Sequence, residues 1–130
     1  MHLKIVTHEK VVYDDNVEEI YSKGIDGEFG VLKNHIPFMT ALDVGVTKVV
    51  KDGEVKLFTT MGGIFQYADD EAVILTNSSE CGDDIDVNRA KEAKERAEQR
   101  LHDRNEDIDE HRAEAALSRA LTRIKAAQSK

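Results

Sequence analysis

The hydrophobic pattern of the chain changes its period once, close to Gly82, Asp83 and Asp84. Before this point, short runs of β-branched and aromatic residues alternate with turn residues, which is typical of β-strands. After it, apolar residues recur about every 3.6 positions, which is the period of an amphipathic α-helix. The sequence therefore predicts an α+β protein, with a β-sandwich domain at residues 1–84 and a helical hairpin domain at residues 85–130.

The charged residues follow the same division. None of the first 84 residues is Arg, whereas residues 85–130 contain seven. The first segment has 7 Lys against 16 acidic residues, and the second has 11 basic against 10 acidic residues, which gives the net charge of −8. A chain this acidic is a poor candidate for binding nucleic acid. Its single cysteine, and apolar runs far shorter than the roughly 20 residues that cross a bilayer, predict a cytoplasmic protein that does not insert into a membrane.

Seven runs in the first domain are predicted to be strands. They are residues 3–7, 11–13, 17–22, 45–50, 55–60, 64–67 and 72–76. Asp52-Gly53 lies between two of them and is typical of a tight hairpin turn, because such a turn needs positive φ. Many short strands with regular turns favour a two-sheet sandwich over a single open sheet. Residues 24–38 fit two interpretations equally well, a bulged hairpin with a loop made rigid by Pro37 or an edge that docks a partner.

Two stripes of small and apolar residues predict two helices that pack as an antiparallel hairpin. The stripes are Ala90, Ala93, Ala97 and Leu101, then Ala113, Ala116, Leu117, Ala120, Leu121 and Ile124. A polar connector at residues 102–106 has the length that joins antiparallel helices. Asp84 or Asp86 can cap the first helix, and Asp107 with Glu110 resembles a capping box for the second. Alanine buries little apolar area, and its burial contributes only about 0.8 kcal/mol per carbon. We therefore expect the hairpin to dock weakly and to be able to detach.

Four arginines are candidates for an anion-binding site. Arg89 and Arg96 lie two turns apart on one face of the first helix, and Arg119 and Arg123 form an i,i+4 pair on the second. Antiparallel packing brings the start of the first helix beside the end of the second, so the guanidinium groups can converge on phosphate oxygens. The alternative is a solvated helix face on which these side chains pair with nearby acids such as Glu92. Residue chemistry alone favours this alternative.

Other kinds of site have little support in the sequence. The five histidines are scattered, and no His or Cys pair has the spacing of metal ligands, so no metal site is predicted. The chain has no Gly-rich phosphate loop of the Walker type and no credible Ser, His and Asp arrangement. The sequence therefore predicts no catalytic residues.

An ordered set of motifs resembles the epsilon subunits of F-type ATP synthases of bacteria. The set is Gly27-Glu28-Phe29-Gly30-Val31-Leu32, His35-x-Pro37 with Thr40, Gly62-Gly63, Ile85-Asp86-Val87-Asn88-Arg89-Ala90, and Arg112-Ala113-Glu114-Ala115-Ala116-Leu117. The resemblance runs from about Leu3 to Ile124, which is nearly the whole chain. It implies a ten-stranded antiparallel β-sandwich followed by two helices, in a rotor subunit that is not itself an enzyme.

The resemblance also implies partners and a location. The sandwich would bind the central-stalk gamma subunit and the membrane rotor ring, with Glu28 in a loop that approaches the ring and His35 on the side facing gamma. The complex would couple proton flow to rotation, peripherally on the cytoplasmic face of the bacterial plasma membrane. In an extended form the helices would reach the catalytic alpha/beta head and restrain ATP hydrolysis.

Some bacterial members of this family bind ATP through the pattern Ile/Leu-Asp-x-x-Arg-Ala and further arginines. The matching residues here are Glu80, Ile85, Asp86, Arg89, Ala90, Arg96, Arg119 and Arg123. By analogy, the arginines would hold the phosphates while Glu80 and Asp86 orient the adenine. ATP would then be a regulatory ligand that favours the compact hairpin, without a metal required by the motif. A free-standing ATP-sensing binding protein is the alternative function, and an enzyme acting on small anions lacks a plausible catalytic group.

Overall fold

The computed structural model describes residues 1–102 and 110–128. Its strands are β1 (His2–Val6), β2 (Val11–Asn16), β3 (Glu19–Gly24), β4 (Gly27–Leu32), β5 (Phe38–Lys51), β6 (Glu54–Ala68) and β7 (Glu71–Leu75). A 3-10 turn at Gly82–Asp84 precedes the helices α1 (Val87–His102) and α2 (Glu110–Gln128). This order confirms the predicted α+β class. Most of the predicted connector and the capping residue Asp107 lie outside the described residues.

The described strands form one continuous hydrogen-bonded sheet in the order β2-β1-β7-β6-β5-β3-β4. β5 and β6 keep one antiparallel register from the Phe38–Tyr67 pair to the Lys51–Glu54 pair. β7 pairs with the second half of β6, whereas β3 pairs mainly with the second half of β5. The two long strands therefore belong to both halves of the sheet.

Two details of the expected sandwich are wrong for this part of the chain. Seven strands are present instead of ten, because β5 and β6 each run on where shorter strands were expected. The sheet is also not wholly antiparallel, since β1 pairs with β7 in parallel. β6 bends without ending at Gly62 and Gly63, which have φ values of 77° and 118°.

The two halves of the sheet face each other and enclose the main core. The Tyr13 ring of β2 lies 5.1 Å from the Phe58 ring of β6, and the Phe29 ring of β4 lies 5.0 Å from the Phe65 ring, as measured between centroids. Buried aliphatic residues from both halves complete this core, namely Leu3, Ile5, Ile20, Val31, Val49 and Ile74. The predicted β-sandwich is therefore confirmed.

The helical hairpin is compact and lies against the outside of the sandwich. α2 contacts β5 and β6, and α1 contacts mainly α2. At their junction with the sheet, Ile85, Ala90, Ala126 and Ala127 form a second buried cluster. Asp86 is the cap of α1, since its Oδ1 accepts a hydrogen bond of 3.2 Å from the backbone N–H of Arg89. The residues that α1 and α2 bury are mostly alanines, as the sequence pattern predicted.

Candidate functional site

A cleft of about 690 Å³ lies between the sandwich and the helical hairpin. Its lining consists of Val44, Met61, Asn77, Ser78, Glu80, Ala93, Ala116, Arg119, Ala120 and Arg123. The helices contribute three alanines to this lining, and these short side chains leave the space open. The cleft therefore combines an apolar floor with two guanidinium groups, the carboxylate of Glu80 and a few uncharged polar groups.

The segment after β7 runs along β6 and carries one wall of the cleft. The backbone N–H of Thr59 donates to the carbonyl oxygen of Glu80 at 2.9 Å, and the N–H of Met61 donates to that of Ser78 at 3.2 Å. The N–H of Glu80 in turn donates to Oγ1 of Thr59 at 3.0 Å. Because extended backbone sends successive side chains to opposite sides, Ser78 and Glu80 line the cleft while Ser79 is buried, with 5% of its surface exposed.

Glu80 and Arg123 join the sandwich to α2 across the cleft. Nη2 of Arg123 donates to Oε2 of Glu80 at 3.1 Å, and Nε of Arg123 lies 3.0 Å from Oε1. The second contact is close but not aligned for a hydrogen bond, so the buried Nε has no hydrogen-bond acceptor among the described residues. The two side chains are 29% and 36% exposed, which leaves one side of the pair open to the cleft.

Arg119 lies one helical turn before Arg123 and also lines the cleft. Its side chain is exposed, and it has no ion-pair partner within the part of the chain that the structure describes. Like charges at i,i+4 repel each other by about 0.2–0.5 kcal/mol in isolated helices. Glu80 already offsets part of this repulsion through Arg123, and an anion in the cleft would offset the rest.

The structure places the other predicted ATP-binding residues outside the lining of the cleft. Ile85 and Ala90 are buried in the second cluster, with 4% and 0% of their surfaces exposed. Asp86 caps α1. Arg89 and Arg96 are exposed on α1, and the convergence expected of four arginines is therefore seen for two.

The two predicted partner-binding residues lie on the sandwich. Glu28 is in β4 opposite Lys23 of β3, so its expected position in a loop is wrong. The ring of His35 packs on the rings of Phe38 and Tyr67, with centroids 5.8 Å and 5.9 Å away. Nδ1 of His35 donates to the carbonyl oxygen of Ile36 at 2.7 Å, which fixes the orientation of the imidazole.

Several lining residues of the cleft were not found from the sequence. Asn77 and Ser78 belong to a polar run between the last strand and the first helix. The sequence pattern of this run is typical of a linker. Asn77 is held in place because its Nδ2 donates to the carbonyl oxygen of Met61 at 3.1 Å. The polarity of this run is the sequence signal that could have pointed to these two residues.

The described residues offer neither a metal site nor a membrane-spanning helix. Within residues 1–102 and 110–128, no group of three His, Cys, Asp or Glu side chains has the arrangement to hold a metal ion. In the same residues, neither helix combines the length and the apolar character that a membrane crossing requires.

Comparison with known proteins gives matches over both domains. The beta-sandwich domain model of the ATP synthase delta/epsilon chain matches residues 1–82, and its long alpha-helix domain model matches residues 83–128. The ATP synthase epsilon chain of Desulforamulus reducens is 45% identical over 126 residues, which cover 97% of this chain and 96% of the relative.

Solved structures show the same fold at lower identity. A chain of the Euglena gracilis mitochondrial ATP synthase, in a structure of OSCP, F1 and c-ring, has a TM-score of 0.81 at 22% identity and is matched over 97% of this chain and 79% of its own length. A chain of the central stalk and c-ring of the Tetrahymena thermophila mitochondrial ATP synthase has a TM-score of 0.62 at 20% identity, over 97% and 95% of the two chains. The two family models together match residues 1–128, and the Desulforamulus reducens relative covers 97% of this chain. The chain therefore belongs to the family of ATP synthase epsilon chains, which are non-catalytic subunits of that enzyme.

Proposed function

We propose that this chain is a central-stalk rotor subunit of a proton-translocating ATP synthase, and that its helical hairpin regulates ATP hydrolysis by binding ATP in the cleft. Family membership supports the first part. The observation that carries the second is the cleft itself, in which Arg119 and Arg123 face the sandwich from one side of α2. Its volume of about 690 Å³ lies within the range of small-molecule sites.

The cleft offers distinct surfaces to the two ends of the nucleotide. Arg119 and Arg123 would bind phosphate oxygens, because guanidinium forks match them in geometry and charge. Arg89 and Arg96 lie one turn on either side of Ala93, which lines the cleft, so their long side chains can swing over its edge. These four arginines would hold the triphosphate.

The adenine would lie toward the sandwich side of the cleft. Val44 and Met61 supply apolar surface there, and Asn77 and Ser78 supply polar groups. In the pattern of the family, Glu80 and Asp86 orient the base, while Ile85 and Ala90 hold the start of α1 in place from the buried cluster. No metal ligand is needed for this mode of binding.

A ligand in this cleft would stabilise the compact hairpin. It would contact the sandwich, α1 and α2 together, and this surface exists only when the hairpin is docked. A ligand that binds one state alone favours it by RT ln(1 + [L]/Kd), about 2.7 kcal/mol at a hundred times Kd. At low ATP the helices would undock, extend along the gamma subunit toward the alpha/beta head and restrain hydrolysis.

The sandwich would form the permanent attachment to the rotor. The solved Tetrahymena thermophila chain with this fold belongs to a central stalk and c-ring assembly. Around His35, exposed apolar side chains collect at one end of the sandwich, with Ile25, Ile36 and Met39 exposed by 63%, 74% and 65%. We assign this end and Glu28 to contacts with the gamma subunit and the rotor ring, at the cytoplasmic face of the plasma membrane.

Calorimetry with ATP on the purified chain tests the ligand. The wild type should bind, and Arg119→Gln and Arg123→Gln should each weaken binding about tenfold or more, because a charge-assisted hydrogen bond is worth about 1.5–3 kcal/mol. Weaker ATP binding by Arg89→Gln would show that α1 contributes to the site. Arg100→Gln is the matched control, because Arg100 is exposed on α1 and does not line the cleft. No heat from the wild type at millimolar ATP would refute ATP binding and leave the rotor assignment intact.

Co-purification tests the rotor assignment separately. The tagged chain should retain the gamma subunit through washing. Recovery of an intact synthase without this chain would instead favour the alternative, a free-standing ATP-sensing protein.

A further inference from the structure

Glu80 occupies the place in the cleft where a phosphate group would approach Arg123. Its carboxylate lies against one edge of the guanidinium group, with atom distances of 3.0 Å and 3.1 Å. A carboxylate and a phosphate present oxygen pairs of similar geometry to that edge, so one edge cannot hold both. In Arg123, one edge of the guanidinium group is therefore occupied by Glu80. The guanidinium group of Arg119 has no ion-pair partner among the described residues and is open to the cleft.

The contact between these two side chains is incomplete. The buried Nε of Arg123 has no aligned acceptor among the described residues, although an oxygen of Glu80 lies close to it. A buried donor without an acceptor is unfavourable. A phosphate oxygen placed along this N–H direction would satisfy the donor, which Glu80 does not.

The ion pair also joins two separate elements, the segment that runs along β6 and the helix α2. We infer that Glu80 regulates the proposed ATP site as an internal competitor, because its carboxylate holds the Nε and Nη2 edge of Arg123 in the empty cleft and a phosphate that binds this edge must displace it. This inference rests on the proposed function, but it gives Glu80 a role opposite to that of an adenine ligand. Glu80 would lower the affinity of the docked hairpin's cleft for phosphate groups.

The variant Glu80→Gln separates the two roles, because it keeps the size of the side chain and removes its charge. Binding is measured by calorimetry with tripolyphosphate, which carries phosphates without adenine, and with ATP. We expect Glu80→Gln to bind both probes about tenfold more tightly, which corresponds to about 1.4 kcal/mol. Glu71→Gln removes an exposed acid of β7 that does not line the cleft, and it should change little.

A double-mutant cycle distinguishes competition for Arg123 from a general change in charge. In an Arg123→Gln background, Glu80→Gln should alter the affinity for tripolyphosphate by less than about twofold, because the competitor has lost its target. A tenfold gain in both backgrounds would overturn the inference, since it would reflect the cleft's net charge alone. Weaker ATP binding by Glu80→Gln would also overturn it, with the proposed function intact and Glu80 acting as a ligand.

The remaining outcomes separate the inference from the proposed function. If the wild type binds neither probe while Glu80→Gln binds tripolyphosphate, competition is supported and ATP regulation of the natural chain fails. If no variant binds either probe, both fail. Circular dichroism of each variant shows whether it is folded, and a folded Arg123→Gln single variant is sufficient to complete the cycle.

Discussion

Replacing Gly82 by alanine should release the helical hairpin while leaving the sandwich folded. Gly82 is buried under the last turn of α2, where an added Cβ would lie 2.4 Å from the carbonyl oxygen of Ala126. Ordinary contacts begin at 3.4 Å, so α2 would have to move by the difference, about 1 Å. The oxygen belongs to the backbone and cannot turn aside. Overpacking of this kind costs about 1–3 kcal/mol, which makes the undocked state about 5- to 150-fold more populated.

The distribution of residue types supplies two independent assays. All arginines follow residue 84, so an arginine-specific protease cuts only in the helical domain. Its cleavage rate follows the undocked population when redocking is faster than cutting. The three tyrosines, Tyr13, Tyr21 and Tyr67, all lie in the sandwich, so tyrosine fluorescence in urea reports the sandwich alone. We expect faster cleavage of Gly82→Ala and an unchanged fluorescence midpoint.

Gly45→Ala is the matched control for this substitution. Its added methyl would meet only the side chain of Lys23, at 2.9 Å for the nearest atom, and this side chain can move away. Cleavage of Gly45→Ala should therefore match the wild type. Equal cleavage of Gly82→Ala and wild type would show that α2 does not press on Gly82 in solution. Equal shifts in both assays would show that hairpin and sandwich unfold as one unit.

Three further substitutions test the packing and electrostatics of the sandwich. Ser79→Ala should stabilise the fold by about 1 kcal/mol in urea unfolding, because the buried Oγ has no hydrogen-bond partner among the described residues; a loss of stability would reveal a partner. Gly63→Ala should destabilise it by about 3 kcal/mol or more, because Gly63 has a φ of 118° and its Cβ would lie 1.9 Å from the oxygen of Leu75; a midpoint equal to the wild type would disprove this close approach. The hydrogen bond from Lys51 lowers the pKa of Asp15 below its usual 3.8, so the stability that Asp15 contributes is present above pH 3.8 and is lost as the pH falls through the lowered pKa. Asp15→Asn should thus be less stable than wild type at neutral pH and equal to it in strong acid, and a difference independent of pH would contradict this assignment.

The sequence predicted the fold well where a local rule determines the backbone. Asp52 and Gly53 were expected to form a tight turn, and their φ values of 51° and 77° show one. β4 lies in residues 24–38, for which the sequence leaves a bulged hairpin and a partner-docking edge equally open, because its glycines weaken the propensity signal. In the structure Gly30 lies under the ring of Tyr21 on the paired strand, where an added Cβ would be 2.7 Å away. Cross-strand packing, which no local pattern contains, gives this strand its place in the sheet.

Bends within long strands were a second limit of prediction. Residues 55–60 and 64–67 were expected to be separate strands because Gly62 and Gly63 lie between them. They belong to one strand, β6, because a single register with β5 continues on both sides of the glycines. Glycines with positive φ can bend a strand as readily as they end one.

The candidate site was predictable in part. The i,i+4 spacing of Arg119 and Arg123 placed both on one face of α2, and both line the cleft. The partner of Arg123 could not be derived from spacing, since Glu80 is 43 positions away in the sequence. The positions of Arg89 and Arg96 depend on the rotamers of long exposed side chains, which a helical pattern does not determine. Their part in ligand binding stays a prediction.

The size of the side chains at the hairpin interface bears on the proposal that a ligand controls the position of the hairpin. The buried cluster contains three alanines and Ile85. Burial of these four fully buried groups contributes about 4–5 kcal/mol, at about 0.8 kcal/mol per methyl and about 2 kcal/mol for isoleucine, before the cost of ordering the helices is subtracted. The partly buried side chains packed against the cluster add to this, namely Val46, Leu57, Val87 and Ile124. A ligand at a hundred times its Kd contributes about 2.7 kcal/mol, which is a large fraction of that total. A junction of leucines would hold the hairpin too firmly for such a ligand to matter, so under the proposed function the alanines would allow an anion in the cleft to decide between the docked and undocked states.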